Sequence, residues 1–280
     1  PIQKDHDRQK AEIFRKATRP FLLRRLKTDK SIISDLPDKI ENTLFCSLTP
    51  EQAAIYESLV QSVMEQIEKS EGIERRGLVL KLMTALKQIC NHPVHYLKKG
   101  EPQAGQSGKT QLMLSLLDNV LVNGEKTLIF TQYKEMGDLL TRMIQEQTGV
   151  LPLFLHGGLS RKKRDELVND FQHKPFHKIF ILSLKAGGTG LNLTAATNVI
   201  HYDLWWNPAV EAQATDRAYR IGQKSNVMVY RPLCKGTFEE RIDEMLKVKK
   251  DLADMTVDTG EAWIGELSDN ELRDLVKLHK

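Results

Sequence analysis

The sequence predicts an α/β fold: a parallel sheet with helices on both faces, preceded by a helical segment and followed by further helices. Two observations carry this prediction. After residue 108, short β-rich runs alternate with helical stretches of about 10–15 residues, as in parallel sheets. Residues 49–92, in contrast, show only helical spacing of apolar side chains. Hydrophobic residues make up 40% of the chain, which is enough for a substantial core and excludes general disorder.

The first predicted elements are two helices. Thr49 and Pro50 are typical of a helix N-cap and first position, and apolar residues then recur at helical spacing. A second helix begins near Glu74 and ends before Pro93. Residues 93–108 are rich in Gly and polar side chains and are predicted to be a loop.

The α/β part follows. The predicted strands are 127–131, 151–155, 178–183, 198–202 and 226–230, and the predicted helices are 110–122, 134–147, 160–172, one starting near Pro208, 237–253 and 268–279. Functional residues of open α/β sheets lie at the carboxyl ends of the strands. We therefore expect the site in the loops after residues 131, 155, 183, 202 and 230.

Composition excludes several classes of protein. No apolar run is long enough to span a bilayer, so a transmembrane protein is excluded. Cys46, Cys90 and Cys234 are scattered and show neither a CxxC pair nor zinc-ligand spacing. The net charge of +4 is too small to indicate nucleic-acid binding by itself.

The segment Ser107-Gly108-Lys109-Thr110 is similar to the end of a phosphate-binding loop. That motif requires a further Gly five positions before Gly108, where this chain has Gln103, and a buried strand upstream, where it has polar residues. We therefore predict that Ser107 is a helix N-cap.

Two later segments suit phosphate binding. The loop 183–193 contains Gly187, Gly188 and Gly190, which allow close approach of an anion, although any tight strand-to-helix turn has similar needs. In the segment 213–223, Arg217 and Arg220 are spaced to lie on one helix face. Two guanidinium groups side by side suit a phosphate undergoing transfer, and the alternative is surface ion pairing with nearby acidic residues.

A third segment, 202–208, places Trp205 and Trp206 directly after a predicted strand. The two alternatives are packing in the core under the rim of the sheet and an aromatic surface that meets nucleic acid.

Taken in order, these segments resemble the SWI/SNF family of DNA-translocating ATPases, a branch of the superfamily-two helicases. The resemblance rests on residues 20–25 and 36–37 (the link between motor lobes), 48–52 and 86–93 (the helical protrusion), 127–133 (motif IV), 155–158 (a DNA-facing turn), 183–193 (motif V), 213–223 (motif VI), 238–242 (the brace helix), and Trp263 with 272–275 (the C-terminal end). It implies a linker at 1–47, a helical protrusion at 48–106, a second RecA-like lobe at 107–236, and brace and C-terminal helices at 237–280. The compact protrusion and short brace resemble those of a bacterial member.

By resemblance, the parent hydrolyses ATP between two RecA-like lobes and moves on double-stranded DNA. ATP and Mg²⁺ would be bound mainly by the first lobe, because this sequence contains neither its GxxxxGK[ST] loop nor its Asp-Glu-x-His box. The chain, which begins Pro1-Ile2-Gln3, is therefore expected to be an inactive fragment. The implied nucleotide-site residues are the arginine fingers Arg217 and Arg220, with Gly188, Gly190 and Gln213. The implied DNA-facing residues are Gln132, His156, Ser183, Lys185 and Trp206, and no residue is assigned as a metal ligand.

The implied partners are double-stranded DNA, the first lobe and a DNA-bound protein target, with no membrane. A bacterial parent would lie in the cytoplasm with the nucleoid and a eukaryotic one in the nucleus. Two alternatives stay open: an RNA helicase lobe, and a non-enzymatic α/β nucleic-acid-binding module whose arginines only pair with carboxylates. The helical insert and the ending Arg220-Ile221-Gly222-Gln223, without a further Arg, disfavour the RNA helicase. Tyr219 stands where many family members have His, and Trp205 where many have a polar residue.

Overall fold

A six-stranded parallel sheet organises the chain. The computed structural model describes residues 36–183, 190–253 and 261–279. The strands are β1 (Lys39–Cys46), β2 (Thr127–Thr131), β3 (Leu153–Leu155), β4 (Ile179–Ser183), β5 (Asn198–His201) and β6 (Val227–Cys234). Their order across the sheet is β1-β6-β5-β2-β4-β3, and every neighbouring pair is parallel.

Helices connect and flank these strands. They are α1 (Pro50–Ile67), α2 (Gly72–Asn91), α3 (Pro93–Leu97), α4 (Gly108–Val122), α5 (Lys134–Thr148), α6 (Arg161–His173), α7 (Pro208–Thr215), α8 (Phe238–Ala253) and α9 (Asp269–Val276), with 3₁₀ turns at Ala104–Gln106 and Glu261–Glu266. The two predicted caps are confirmed: Thr49 accepts a hydrogen bond from the Gln52 backbone N–H, and Ser107 from that of Thr110. Within the described ranges, no helix combines the length and the apolar character needed to cross a bilayer.

Side chains of the central strands point alternately into two hydrophobic cores, one on each face of the sheet. In β2, Leu128 and Phe130 pack on one face with Phe171 of α6 and Ala214 of α7. Ile129 points to the opposite face and packs there with residues of α4 and α5. The predicted parallel sheet with helices on both faces is therefore confirmed.

Two elements differ from the prediction. Residues 39–46 of the predicted linker form β1, which pairs with β6 at the edge of the sheet within the described residues, so the end of the linker belongs to the sheet. Residues 93–97 of the predicted loop form α3, because the His92 side chain caps the Val94 N–H and Pro93 suits a first helical position. Residues 1–35 of the predicted linker lie outside the described residues.

A third core joins the helical protrusion to the C-terminal helices. Apolar residues of α1 and α2 pack with residues of α8, the 3₁₀ turn Glu261–Glu266 and α9. The rings of Tyr56 and Phe238 stack with centroids 6.4 Å apart, and the guanidinium of Arg75 pairs with Asp269 at 2.7 Å. The segments predicted as protrusion and brace thus share one core and pack beside the sheet as one unit.

Candidate functional site

Three of the predicted site residues lie where the strands of the sheet end. Thr131 ends β2 and lies in register with Ser183, which ends the neighbouring strand β4. Gln132 follows β2 directly, and His156 follows β3, the next strand beyond β4. Three of the candidate DNA-facing residues therefore lie along one continuous edge, as expected for an open α/β sheet.

The half-buried Gln132 is held by several contacts. Its backbone N–H donates to Oδ1 of Asp203 at 2.7 Å, and its side-chain amide donates to the Leu204 carbonyl at 2.7 Å. Asp203 is fully buried and also accepts from the Thr131 hydroxyl. Burial raises the pKa of Asp203 above its usual value, while the hydrogen bonds from Thr131 and Gln132 oppose that shift. The turn after β2 is thus fixed from within the sheet.

His156 and Ser183 are not fully exposed on the surface. His156 is half-buried, accepts from the Gly158 N–H at 3.2 Å and lies against the ring of Phe154. Ser183 is 5% exposed. Lys185 and Gly188, also predicted for this edge, lie outside the described residues.

The arginine pair lies beyond the helix that was predicted to carry it. Helix α7 ends at Thr215, so Arg217 and Arg220 occupy the following turns instead of one helix face. Backbone contacts set this segment: the Arg217 carbonyl accepts from the Leu193 N–H at 2.9 Å. Nη1 of Arg220 lies 3.5 Å from the Gly190 carbonyl oxygen and 3.4 Å from that of Leu191. Both arginines therefore still lie beside the end of the glycine-rich loop.

The side chain of Arg217 is half-buried. Its Nη1 is buried without a hydrogen-bond partner, and the group lies 5.8 Å from the centre of the Phe130 ring. Burial lowers the pKa of Arg217 from its usual value. Glu211, one acidic residue that might have paired with it, instead binds Arg231 at 3.1 Å. Of the two acidic residues in the ion-pair alternative, Glu211 and Asp216, Glu211 is therefore engaged by Arg231.

Two other predicted nucleotide-site residues, Gly190 and Gln213, are described by the structure. Gly190 has a φ of +102°, a conformation that glycine adopts readily and other residues rarely do. Gln213 is exposed on the last turn of α7, and Arg220 is exposed as well. The cluster therefore presents one exposed and one half-buried guanidinium beside a backbone that glycine shapes.

Gln223 organises this region although its role was not predicted. Its buried amide nitrogen donates to the carbonyls of Thr194, Ala196 and Ala218, at 3.1, 2.9 and 3.2 Å. Its oxygen accepts from two backbone N–H groups just after it, at 2.8 and 3.1 Å. One side chain thus ties the arginine segment to the loop before β5. Its place at the end of motif VI was the only available signal.

Trp206 requires a correction. Its side chain is only 4% exposed and belongs to the core shared by the protrusion and the brace. Its ring meets Phe238 edge-on at 6.1 Å, and Nζ of Lys87 lies 3.7 Å from its centre. The structure supports the packing alternative, because a ring enclosed in this way has little surface to offer to DNA.

Lys109 is a structural residue and not part of a phosphate loop. Its ammonium is fully buried and donates to both oxygens of Glu239, at 2.6 and 2.9 Å. Burial disfavours the charged form, but the Glu239 carboxylate prevails and raises the pKa of Lys109 well above its usual value. The ammonium therefore has no free face for a nucleotide phosphate.

The three cysteines converge in space although they are far apart in sequence. The sulfurs of Cys46 and Cys234 lie 3.7 Å apart, and the ligand atoms of Cys90, Cys234 and Glu239 all lie within 4.8 Å of one another. Such a set could ligate a soft metal ion. However, the Lys109 ammonium already occupies Glu239, and burial raises the pKa of Cys90, so the cluster favours neutral thiols.

Comparison with known families and proteins agrees with this architecture. Residues 108–222 match the helicase conserved C-terminal domain, and residues 1–95 match the SNF2-related domain. The putative ATP-dependent helicase/translocase YwqA of Bacillus subtilis is 47% identical over 99% of this chain, which covers 30% of that protein. Human DNA excision repair protein ERCC-6 is 36% identical over 86% of the chain, which covers 17% of that protein. The chain therefore spans less than a third of the length of either relative.

Solved structures extend the match to the whole fold. The C-terminal domain of a Sulfolobus solfataricus SWI2/SNF2 ATPase superposes with a TM-score of 0.76 and 39% identity, covering 87% of this chain and all of that domain (100%). The core of the same ATPase in complex with dsDNA gives a TM-score of 0.79 and 41% identity, covering 100% of this chain and 58% of that one. A RecA-like sheet, its flanking helices and these matches lead to one conclusion: the chain belongs to the SWI2/SNF2 family of ATPases.

Proposed function

We propose that this chain is the second RecA-like motor lobe of an ATP-dependent double-stranded DNA translocase. The observation that carries the proposal is the arginine pair at the carboxyl edge. Nη1 of Arg217 is buried without a partner, and Nη1 of Arg220 lies 3.5 Å from the Gly190 carbonyl oxygen. An unpaired buried donor on a permanent cation is costly unless an anion completes it. The phosphates of ATP, brought by the first lobe, supply such an anion.

The chemistry assigned to the arginines is stabilisation of charge on the transferred phosphate. Guanidinium groups bind phosphate oxygens through two parallel hydrogen bonds, and arginine fingers act mainly in the transition state. We assign Mg²⁺ to the first lobe, because both oxygens of Asp203, the buried carboxylate at this edge, already accept hydrogen bonds. Bound Mg²⁺ would neutralise charge on the phosphates there. Gly188, Gly190 and Gln213 are proposed to border the nucleotide.

The DNA-facing residues of the proposal are Gln132, His156, Ser183 and Lys185. The first three share the carboxyl edge of the sheet. A relative 41% identical to this chain has been solved in complex with dsDNA, which supports duplex DNA as the partner. Contacts of this kind would bind the phosphate backbone and carry no sequence information. Replacing Lys185 by Ala should therefore lower the salt slope of DNA binding by about one unit, whatever the base sequence.

The decisive experiment uses the full-length parent. We expect Arg217→Ala and Arg220→Ala each to lower the kcat of DNA-stimulated ATP hydrolysis by about a thousandfold with little change in KM. Arg217→Lys should also impair turnover, because an ammonium cannot reproduce a forked contact. The matched control is Arg142→Ala, since Arg142 is an exposed arginine on α5 paired with Glu101. Wild-type turnover in both alanine variants would refute the arginine-finger assignment.

Two further measurements separate the alternatives. Duplex DNA should stimulate hydrolysis by the parent, and duplex RNA should not; the reverse result would favour an RNA helicase lobe. The 280-residue chain alone should show no turnover, because its sequence has no phosphate loop. If the pure chain hydrolyses ATP and Arg220→Ala abolishes that activity, the proposal that hydrolysis needs both lobes is wrong.

A further inference from the structure

Two residues on one face of α2 reach the turn that carries Gln132. Lys87 and Asn91 lie one helical turn apart, and both are buried, with exposures of 3% and 0%. Helix α2 belongs to the protrusion, whose core is a different cluster from the two that hold the side chains of β2. Polar side chains that extend from the protrusion to this edge are therefore a direct physical link between the two parts.

Asn91 acts on the backbone of the turn through Asp203. Its amide nitrogen donates to Oδ2 of Asp203 at 3.2 Å, and Oδ1 of the same carboxylate accepts from the Gln132 N–H at 2.7 Å. The amide oxygen of Asn91 in turn lies 3.4 Å from the ammonium of Lys109. Asn91 is thereby fixed on one side and orients the Asp203 carboxylate on the other.

Lys87 acts on the side chain of the same residue. Its Nζ lies 3.4 Å from Oε1 of Gln132, while Nε2 of Gln132 donates to the Leu204 carbonyl at 2.7 Å. The ring of Trp206 supports the Lys87 ammonium from 3.7 Å. Both ends of the Gln132 amide are therefore held, one by the protrusion and one by the loop after β5.

We propose that Lys87 and Asn91 are positioning residues that hold Gln132 in its DNA-binding geometry and so couple the helical protrusion to the DNA-facing edge. This inference rests on the proposed function, in which Gln132 contacts duplex DNA. A buried cation with no role beyond packing would be a costly choice at Lys87, because an apolar side chain of the same length would fill the space. Its ammonium contacts the Gln132 amide oxygen and the Trp206 ring, and its charge also acts on Asp203, the carboxylate that binds the Gln132 N–H.

The test is a double-mutant cycle in the full-length parent. The measured quantity is the concentration of duplex DNA that gives half-maximal stimulation of ATP hydrolysis. We expect Lys87→Met to raise it about fivefold to tenfold, and Lys87→Arg to restore it to within about twofold of wild type. In a Gln132→Ala background, Lys87→Met should add less than about twofold, because the group that it positions is already gone.

Gln52→Ala is the matched control for a general loss of protrusion stability. Gln52 is a buried amide on α1 that donates to the carbonyls of Ile89 and Cys90, at 2.7 and 3.2 Å, and accepts from the backbone N–H groups of Thr49 and Gly108. The Gln52→Ala variant should have a lower melting temperature and an unchanged DNA concentration for half-maximal stimulation. If Gln52→Ala raises this DNA concentration as much as Lys87→Met does, Lys87 contributes only to stability and the inference is overturned.

The remaining outcomes are also distinguishable. If Lys87→Met does not fold, the same cycle with Asn91→Ser replaces it, and the same non-additivity with Gln132→Ala is required. If the fold-change of the double variant equals the product of the fold-changes of Lys87→Met and Gln132→Ala, the two residues act independently. That result would overturn the positioning role of Lys87 and leave the DNA role of Gln132 intact. If Gln132→Ala itself leaves DNA stimulation at the wild-type value, the proposed DNA contact fails and the inference falls with it.

Discussion

Replacing Lys109 by Met tests the buried ion pair that ties the N-terminus of α4 to α8. In the wild-type chain, the Lys109 ammonium has no exposed surface, and the Glu239 side chain is 5% exposed. Glu239 accepts two hydrogen bonds from Lys109 and one, at 3.0 Å, from the Cys234 N–H. The variant keeps most of the volume of the side chain and removes its charge. It therefore leaves a buried carboxylate with a single backbone donor.

The structure sets the expected size of the effect. Breaking a buried pair by removing one partner costs about 3–5 kcal/mol, because the other charge is left uncompensated. An exposed pair is worth far less, about 0.3–0.5 kcal/mol for residues four apart on a helix. Adding Glu239→Gln to Lys109→Met removes the stranded charge and keeps an acceptor for Cys234. The double variant should therefore recover about 1–3 kcal/mol of the loss.

Urea denaturation of the 280-residue chain, followed by circular dichroism, measures these differences. The matched control is Lys134→Met, which breaks the exposed pair between Lys134 and Asp138, 2.7 Å apart. A cost for Lys109→Met as small as that of the control would refute the reasoning from burial. In the full-length parent, a loss of ATP affinity in Lys109→Met without a loss of stability would show that this lysine binds nucleotide after all.

Three further outcomes follow from the structure. Trp206→Ala should cost about 3–5 kcal/mol in the free energy of unfolding, since the ring packs on Phe238; a stable variant that binds DNA poorly would return Trp206 to the DNA interface. Gly190→Ala should cost about 1 kcal/mol or more because of its φ of +102°, whereas Gly157→Ala, with open space at its Cβ, should be neutral in the same melting assay. Burial lowers the pKa of His201 to about 3. Below pH 6.5 this histidine is therefore protonated in the unfolded state and neutral in the folded state. Stability should then fall by about 1.4 kcal/mol per pH unit on acidification, and His201→Gln should show a shallower dependence of the urea midpoint between pH 7.5 and 5.5.

The central sheet was predictable because its strands are buried on both faces. Strand β2 was placed at its observed bounds, 127–131, since a short apolar run between turn signals leaves little choice. Strand β1 was missed because an edge strand is only partly buried: Phe45 is 51% exposed, and polar residues interrupt the apolar pattern. Only pairing with β6, remote in sequence, makes it a strand.

The candidate site was predictable in its residue types and less so in its geometry. The sequence contains no Gly or Pro between Thr215 and Arg220 to mark the end of α7. The end is set by tertiary contacts, such as the bond between the Leu193 N–H and the Arg217 carbonyl. Asp203 was passed over for the same reason, because its importance comes from donors on two segments that are far from it in sequence, α2 and the end of β2. The sequence spacing of the cysteines likewise held no sign that they meet.

The pairing of β1 with β6 has a consequence for how the chain acquires its structure. The two strands join residues that are far apart in sequence, from Lys39↔Val227 to Cys46↔Cys234, so a large loop must close before the edge of the sheet forms. The core under α1 and α2 closes late as well, because it requires α8 and α9. During synthesis from the N-terminus, β1 and the apolar faces of α1 and α2 therefore emerge well before their partners. In a nascent or truncated chain this segment therefore exposes an unpaired strand edge and apolar surface, which makes it a site for chaperone binding or aggregation.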